Sequence, residues 1–107
     1  DRLRSRGLGD VYKRQIQADA NIRELRNKTL ELEASLRRYN ESLRYYTSSA
    51  LKEADELTKA ANLQLQQSET GIAEYIQSIT TAREIRRGYI ETVYQYNIAA
   101  LEYELFK

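Results

Sequence analysis

The sequence predicts an all-α fold, a long antiparallel helical hairpin of coiled-coil type, and three observations carry that prediction. The 107 residues contain no Pro, and neither Pro nor Gly falls between Ile16 and Gln67, so nothing in that stretch breaks a helix. Apolar residues recur at steps of four and three along most of the chain, the spacing of a helical seam. One cluster of turn chemistry, Ser68-Glu69-Thr70-Gly71, divides the pattern into two arms.

The first fifteen residues stand apart. They carry Arg2, Arg4, Arg6, Lys13 and Arg14 against Asp1 and Asp10, a net of +3, together with Gly7 and Gly9. No apolar periodicity is visible in them. The remaining 12 basic and 14 acidic residues give −2 for residues 16 to 107, so the formal +1 of the whole chain comes from its leader. A basic arm for nucleic acid or a membrane surface is one reading of such a segment. Asp10-Val11-Tyr12-Lys13-Arg14-Gln15 also resembles one reading frame of a transposon-type sequencing adapter, AGATGTGTATAAGAGACAG. Residues 1–15 are therefore expected to be a non-native leader and are set aside from the fold.

The first arm is expected over residues 16–67. Its seam runs through Ala18, Ile22, Leu25, Thr29, Leu32, Leu36, Tyr39, Leu43, Tyr46 and Ala50, with Thr29 as the one polar interruption. It continues through Ala54, Leu57 and Ala61, where Tyr46–Ala50–Ala54 makes two consecutive steps of four. That stutter unwinds a left-handed supercoil toward a straighter helix. At about 1.5 Å per residue the arm would run roughly 75 to 80 Å, longer than any compact globule of this size could hold. Tyr45 and Tyr46 are adjacent and point roughly 100° apart on a helix, so only Tyr46 can belong to the seam.

The turn is expected over residues 68–71. Thr70 can cap the next helix, with Glu74 in its first turn, and Gly71 can take a positive φ.

The second arm, residues 72–106, carries two apolar lines. One passes through Ile72, Tyr75, Ile79, Ala82, Tyr89, Val93, Tyr96, Ala100 and Tyr103, the other through Ile76, Ile90, Tyr94, Ile98, Leu101 and Leu105. Two lines suit contact with neighbours on two sides. At roughly 52 Å this arm is shorter than the first, which leaves Ala18, Ile22 and Leu25 beyond its reach. Exposed apolar seams mark interaction surfaces. Gly88 inside this arm disfavours the helix by up to about 1 kcal/mol relative to Ala; close helix approach is the favoured reason for it, with simple tolerance of the glycine as the alternative.

Composition narrows the chemistry. With no Cys and no His, soft metal sites, thiol chemistry and His-based triads are excluded. Acidic pairs such as Glu53–Glu56 are interleaved with Lys52 and Lys59, the pattern of a solvated helix face rather than of an acid–base pair. Neither an enzyme nor a cofactor is expected. Arg83, Arg86 and Arg87 form the only basic cluster outside the leader; pairing with Glu84, Glu91 or the other arm accounts for it better than nucleic acid does. No apolar run approaches the roughly 18 residues of a membrane-spanning helix.

From Tyr45 to Phe106 the sequence resembles the TolC-like outer membrane efflux protein family, especially its heavy-metal and multidrug members. The match begins with Tyr45-Tyr46 and Ala50-Leu51-Lys52-Glu53-Ala54-Asp55-Glu56-Leu57, and continues with Ala60-Ala61-Asn62-Leu63 before the turn. After the turn come Glu74-Tyr75-Ile76-Gln77-Ser78, Tyr89-Ile90-Glu91-Thr92-Val93-Tyr94-Gln95-Tyr96-Asn97 and Leu101-Glu102-Tyr103. The spacing from Asn62 to Tyr75 fits the family's tip without insertion or deletion. The departures fall at the turn. Leu65 stands where the family commonly has an aromatic, Ser68 where it has Gly, Glu69 at its Glu position and Thr70 where Ile or a gating Arg is found. The polar tip network of some members is thus not carried over.

The resemblance implies a piece of a homotrimeric conduit, an outer-membrane β-barrel continued through the periplasm of a Gram-negative bacterium by a barrel of long helices. This piece would be the second long hairpin, periplasmic, with its turn toward the inner membrane. There the family docks a periplasmic adaptor and, through it, a resistance-nodulation-division pump, and conducts exported metal ions or drugs passively. Membrane contact would come only through the β-barrel part or through a pump fused to such a domain. The residues implied at the docking tip are Leu65, Ser68, Glu69, Thr70, Gly71 and Ile72. The competing reading is a generic coiled-coil structural protein or a periplasmic adaptor hairpin. The text flanking the turn and the second apolar line from Ile76 to Leu105 separate the two.

Overall fold

The structure, a computed structural model, describes residues 2–107, with Arg2 by its backbone alone. Asp1, part of the basic leader, lies outside the described residues. The chain is an antiparallel helical hairpin with extents of 95 × 24 × 14 Å, and no strand occurs among the described residues. The long arm comprises α1 (Arg2–Tyr45), a single π-helical turn (Tyr46–Ala50) and α2 (Leu51–Gln66). The return arm is α3 (Ile72–Phe106).

The helix does not begin at Ile16: α1 runs unbroken from Arg2. Apolar periodicity decides which face of a helix packs, not whether a helix forms. Residues 2–15 contain no Pro, and once the downstream helix exists each further residue needs no new nucleus. Two glycines at about 1 kcal/mol each do not stop it. Residues 3–27 are all exposed. α3 ends beside Thr29, whose hydroxyl donates to the Leu25 carbonyl at 2.9 Å and lies 3.3 Å from the Phe106 carbonyl. Everything before that level projects past the shorter arm, with Ile22 57% and Leu25 48% exposed.

From Thr29 to Ala61 every residue of the predicted seam is turned inward, half-buried or buried. The buried set is Leu32, Ala50, Ala54, Ala61, Ala82 and Ala99. Five of these six are alanines, so the arms meet through small side chains, which let helix axes approach closely. Larger side chains, Leu36, Tyr39, Leu43, Leu57, Tyr89, Val93 and Tyr96, flank this strip half-buried. On α3 the inward line from Tyr75 onward includes Ala99, which is buried, while Ala100 is half-buried. Ile72, the first member of that line, is exposed.

The stutter takes a sharper form than gentle unwinding. At Tyr46–Ala50 the ladder changes to π geometry, with the Leu51 N–H donating to the Tyr46 carbonyl five residues back. Thr47 Oγ1 donates to the Leu43 carbonyl at 2.9 Å, a side-chain bond that competes with the regular ladder where it is being disrupted. Tyr46 faces the other arm and Tyr45 is exposed, although their rings remain in contact at 5.9 Å between centroids. Tyr46 also packs on Tyr89 across the hairpin, again at 5.9 Å. A Cβ on Gly88 would collide with the Tyr46 hydroxyl and lie 3.3 Å from its Cζ. Close approach is therefore what this position requires.

Polar pairs tie the arms together along their overlap, Lys28 Nζ lying 3.8 Å from Glu102 Oε2 at its far end. Tyr75 donates to Asn62 Oδ1 at 2.9 Å near the turn. Arg86 Nη2 donates to Asp55 Oδ1 at 2.9 Å and to Thr58 Oγ1 at 3.2 Å farther along. Tyr103 donates to Glu33 Oε1 at 3.1 Å near the end of α3.

Candidate docking tip

The turn joining the arms spans residues 67–71. It closes α2 with a Schellman motif: the Ser68 N–H donates to the Leu65 carbonyl at 3.1 Å and the Glu69 N–H to the Gln64 carbonyl at 2.9 Å. That motif needs a left-handed residue just past the C-cap. Ser68, with φ 57°, supplies it and is the only non-glycine residue with positive φ among the described residues. Gly71 does not take that role: its φ is −82° and ψ 168°. The Schellman bonds fix the left-handed position by its distance from the helix end, so whichever residue stands one past the C-cap must adopt it.

Thr70 does not cap α3 either. Gly71 is the N-cap, in extended conformation and without a side-chain capping bond, and its carbonyl accepts from the Tyr75 N–H at 3.1 Å. The Thr70 hydroxyl instead donates to Glu74 Oε2 at 2.7 Å. Glu74 still lies in the first turn of α3, where a carboxylate opposes the positive end of the helix dipole.

Of the six tip residues singled out in the sequence, Ser68, Glu69, Gly71 and Ile72 are exposed at the apex, while Leu65 and Thr70 are half-buried. Ile72, 64% exposed, is the apolar group the apex presents to solvent. Behind it the Asn62–Tyr75 hydrogen bond closes the base of the turn. This pair was visible in the sequence as a fixed spacing but not as a contact; its signal was an amide next to the seam residue Ala61 and a phenol on the packing line of the second arm, on either side of one turn.

The second line of α3 is the other open surface. Ile76, Ile90, Tyr94, Ile98, Leu101 and Leu105 are all exposed, Ile90 by 67% and Leu101 by 64%. Among the described residues no three His, Cys, Asp or Glu side chains are grouped to hold a metal ion, and no helix is long and apolar enough to cross a membrane. The open surfaces are the polar apex, which presents Ile72, and the apolar outer stripe of α3. No protein-family model, curated protein or solved structure matches the chain.

Proposed function

We propose that the hairpin is the periplasmic tip segment of a TolC-like outer membrane efflux channel. In this reading it forms part of a trimeric α-helical conduit, docks a periplasmic adaptor and its resistance-nodulation-division pump at the apex, and lets metal ions or drugs pass without itself supplying energy. One observation carries the reading: two of the segments that resemble the family, Ala60-Ala61-Asn62-Leu63 and Glu74-Tyr75-Ile76-Gln77-Ser78, flank the turn on opposite arms and are joined by the Asn62–Tyr75 hydrogen bond of 2.9 Å. Unequal arms and the exposed stripe on α3 are in keeping with it, since a wall helix needs a second neighbour.

The test is photo-crosslinking in the full-length trimer, with the reactive side chain placed at Ser68 or Glu69. Adducts with the adaptor at these positions are expected, and none from Arg23 or Asn27 on the projecting part of α1. Adducts confined to the projecting arm would remove the assignment of the apex as the docking tip.

A further inference from the structure

The one departure from α-geometry in the long arm sits against the one glycine of α3. The π turn opens at Tyr46, and the Tyr46 side chain reaches across to Gly88, where it occupies the space a Cβ would need. From these facts we infer that Tyr46–Ala50 is a register joint: the Tyr46 ring seated over Gly88 holds it in the π form, and release of that contact converts it to α-helix.

The geometry of the seam supports two forms built on the same residues. A π turn accommodates one residue more than the α ladder it replaces, and one residue corresponds to roughly 100° about the axis of an α-helix. Conversion would therefore rotate α2 and the apex by that order of angle against α1. In an unbroken α-helix the steps Tyr46–Ala50–Ala54 each advance the seam by about 40°, which unwinds the supercoil and straightens the hairpin. With one residue absorbed by the π turn, the seam keeps its left-handed drift past this level. In the π form Ala50, Ala54, Leu57 and Ala61 face α3; in the α form the doubled step of four would leave the same residues on the other flank of the seam. Local packing is what separates them. Tyr46 lies against Tyr89 and Tyr45, and its hydroxyl end has room only because residue 88 lacks a side chain. Thr47 and Ser48 supply hydroxyls to the Leu43 and Tyr45 carbonyls at 2.9 and 3.5 Å, offering those carbonyls a partner outside the ladder.

The experiment reads the joint directly, by through-hydrogen-bond NMR couplings in the isotopically labelled full chain. The native chain is expected to show the Leu51 N–H to Tyr46 carbonyl coupling. In Tyr46→Ala that coupling is expected to vanish and an Ala50 N–H to Tyr46-position carbonyl coupling to appear, while Tyr46→Phe, which keeps the ring, retains the native pattern. Retention of the Leu51 coupling in a folded Tyr46→Ala chain overturns the inference. If far-UV circular dichroism shows Tyr46→Ala to be unfolded, Gly88→Ala, which displaces the ring instead of removing it, is read by the same criterion. Loss of the Leu51 coupling there supports the joint and its retention overturns it.

Discussion

Arg86 and Asp55, 31 residues apart in sequence, face each other across the hairpin with Nη2 2.9 Å from Oδ1. The same guanidinium donates to Thr58 Oγ1, and Thr58 in turn donates to the Ala54 carbonyl at 2.9 Å. This short relay links a charge on α3 to the backbone of α2 beside the buried Ala54. It also gives Arg86 of the basic cluster a partner on the other arm.

The pair itself is weak, because the Arg86 and Asp55 side chains are 42% and 63% exposed and such pairs contribute only about 0.2–1 kcal/mol. Asp55→Ala is expected to lower stability within that range in low salt and to lose most of its effect near 1 M NaCl, where the screening length falls to about 3 Å. Arg86→Ala should cost more, since it also removes the bond to Thr58 Oγ1 and the aliphatic stem of a half-buried residue. Urea midpoints at two salt concentrations check this; an Asp55→Ala effect that salt leaves unchanged would mean the pair acts through packing instead.

Tyr103 predicts an alkaline dependence. Its hydrogen bond to Glu33, with the charge of that carboxylate and some loss of hydration, holds the phenol above its ordinary pKa of 10.0. A folded-state pKa raised above the unfolded value means that the contribution is fully present below about pH 10 and is lost as pH rises through the raised value. The difference in stability between the native chain and Tyr103→Phe should therefore be constant from pH 7 to 9. Above pH 10 it should move against the native chain. Parallel stability curves for the two chains across pH 10 would remove the Glu33 contact as the cause.

The alanine strip predicts an intolerance of size. Ala54 and Ala82, on opposite arms, are fully buried at 0% exposure, so there is no free volume beside them to receive a larger side chain. Ala82→Leu is expected to destabilise by about 1–3 kcal/mol, whereas Ala60→Leu on the exposed face stays within about 0.5 kcal/mol of the native chain. Thermal unfolding at equal protein concentration compares the two. A neutral Ala82→Leu would show that the arms are held apart by other residues.

These packing positions were largely legible in the sequence, and the reason is periodicity. From Thr29 to Ala61 the steps of four and three pick out the residues that turn inward, and on α3 the two lines separate the inward face from the exposed one. The features that periodicity misread are local backbone choices. The run of α1 back to Arg2 depends on helix propagation, which has no apolar signature. Positive φ at Ser68 rather than Gly71 depends on where α2 ends to within one residue, and composition pointed to the glycine. Thr70 turned its hydroxyl to Glu74 because the helix start lies one residue later than a threonine cap would require. The π turn was present in the sequence only as a doubled step of four, a pattern that an ordinary α-helix also accommodates. At the apex, Ser68, Glu69 and Gly71 could be read as solvent-facing from the turn alone, whereas periodicity put Ile72 on the packing line although it is exposed, and the Asn62–Tyr75 bond needed three dimensions.

A residue that the π turn absorbs should be removable. Ser48 is exposed within that turn, and deleting it leaves the number of residues a continuous α-helix would need to connect the two halves in their present phase. The shortened chain is expected to keep both Asp55–Arg86 and Glu33–Tyr103 in place. Deleting Glu41 instead removes a residue from regular α-helix, rotates the preceding part of α1 by roughly 100° and should break the Glu33–Tyr103 contact. Nuclear Overhauser contacts of the Tyr103 ring report the outcome; equal disruption by the two deletions would show that no surplus residue resides in Tyr46–Ala50.

Ser68 predicts a gain. It holds the left-handed position of a Schellman motif, where a side chain disfavours the backbone by roughly 1–2 kcal/mol and glycine carries no such penalty. Glycine also brings greater freedom to the unfolded chain, which offsets about 0.4–1 kcal/mol of the benefit. Ser68→Gly should therefore raise stability by up to about 1.6 kcal/mol, and Ser68→Val, β-branched and worse suited to positive φ, should lower it. The apex gains nothing else from the change, because the Ser68 N–H bond to the Leu65 carbonyl belongs to the backbone and survives either substitution. Urea unfolding of the three chains decides the matter: a Ser68→Gly chain less stable than the native one would mean that the serine side chain contributes to the turn more than its backbone strain takes away.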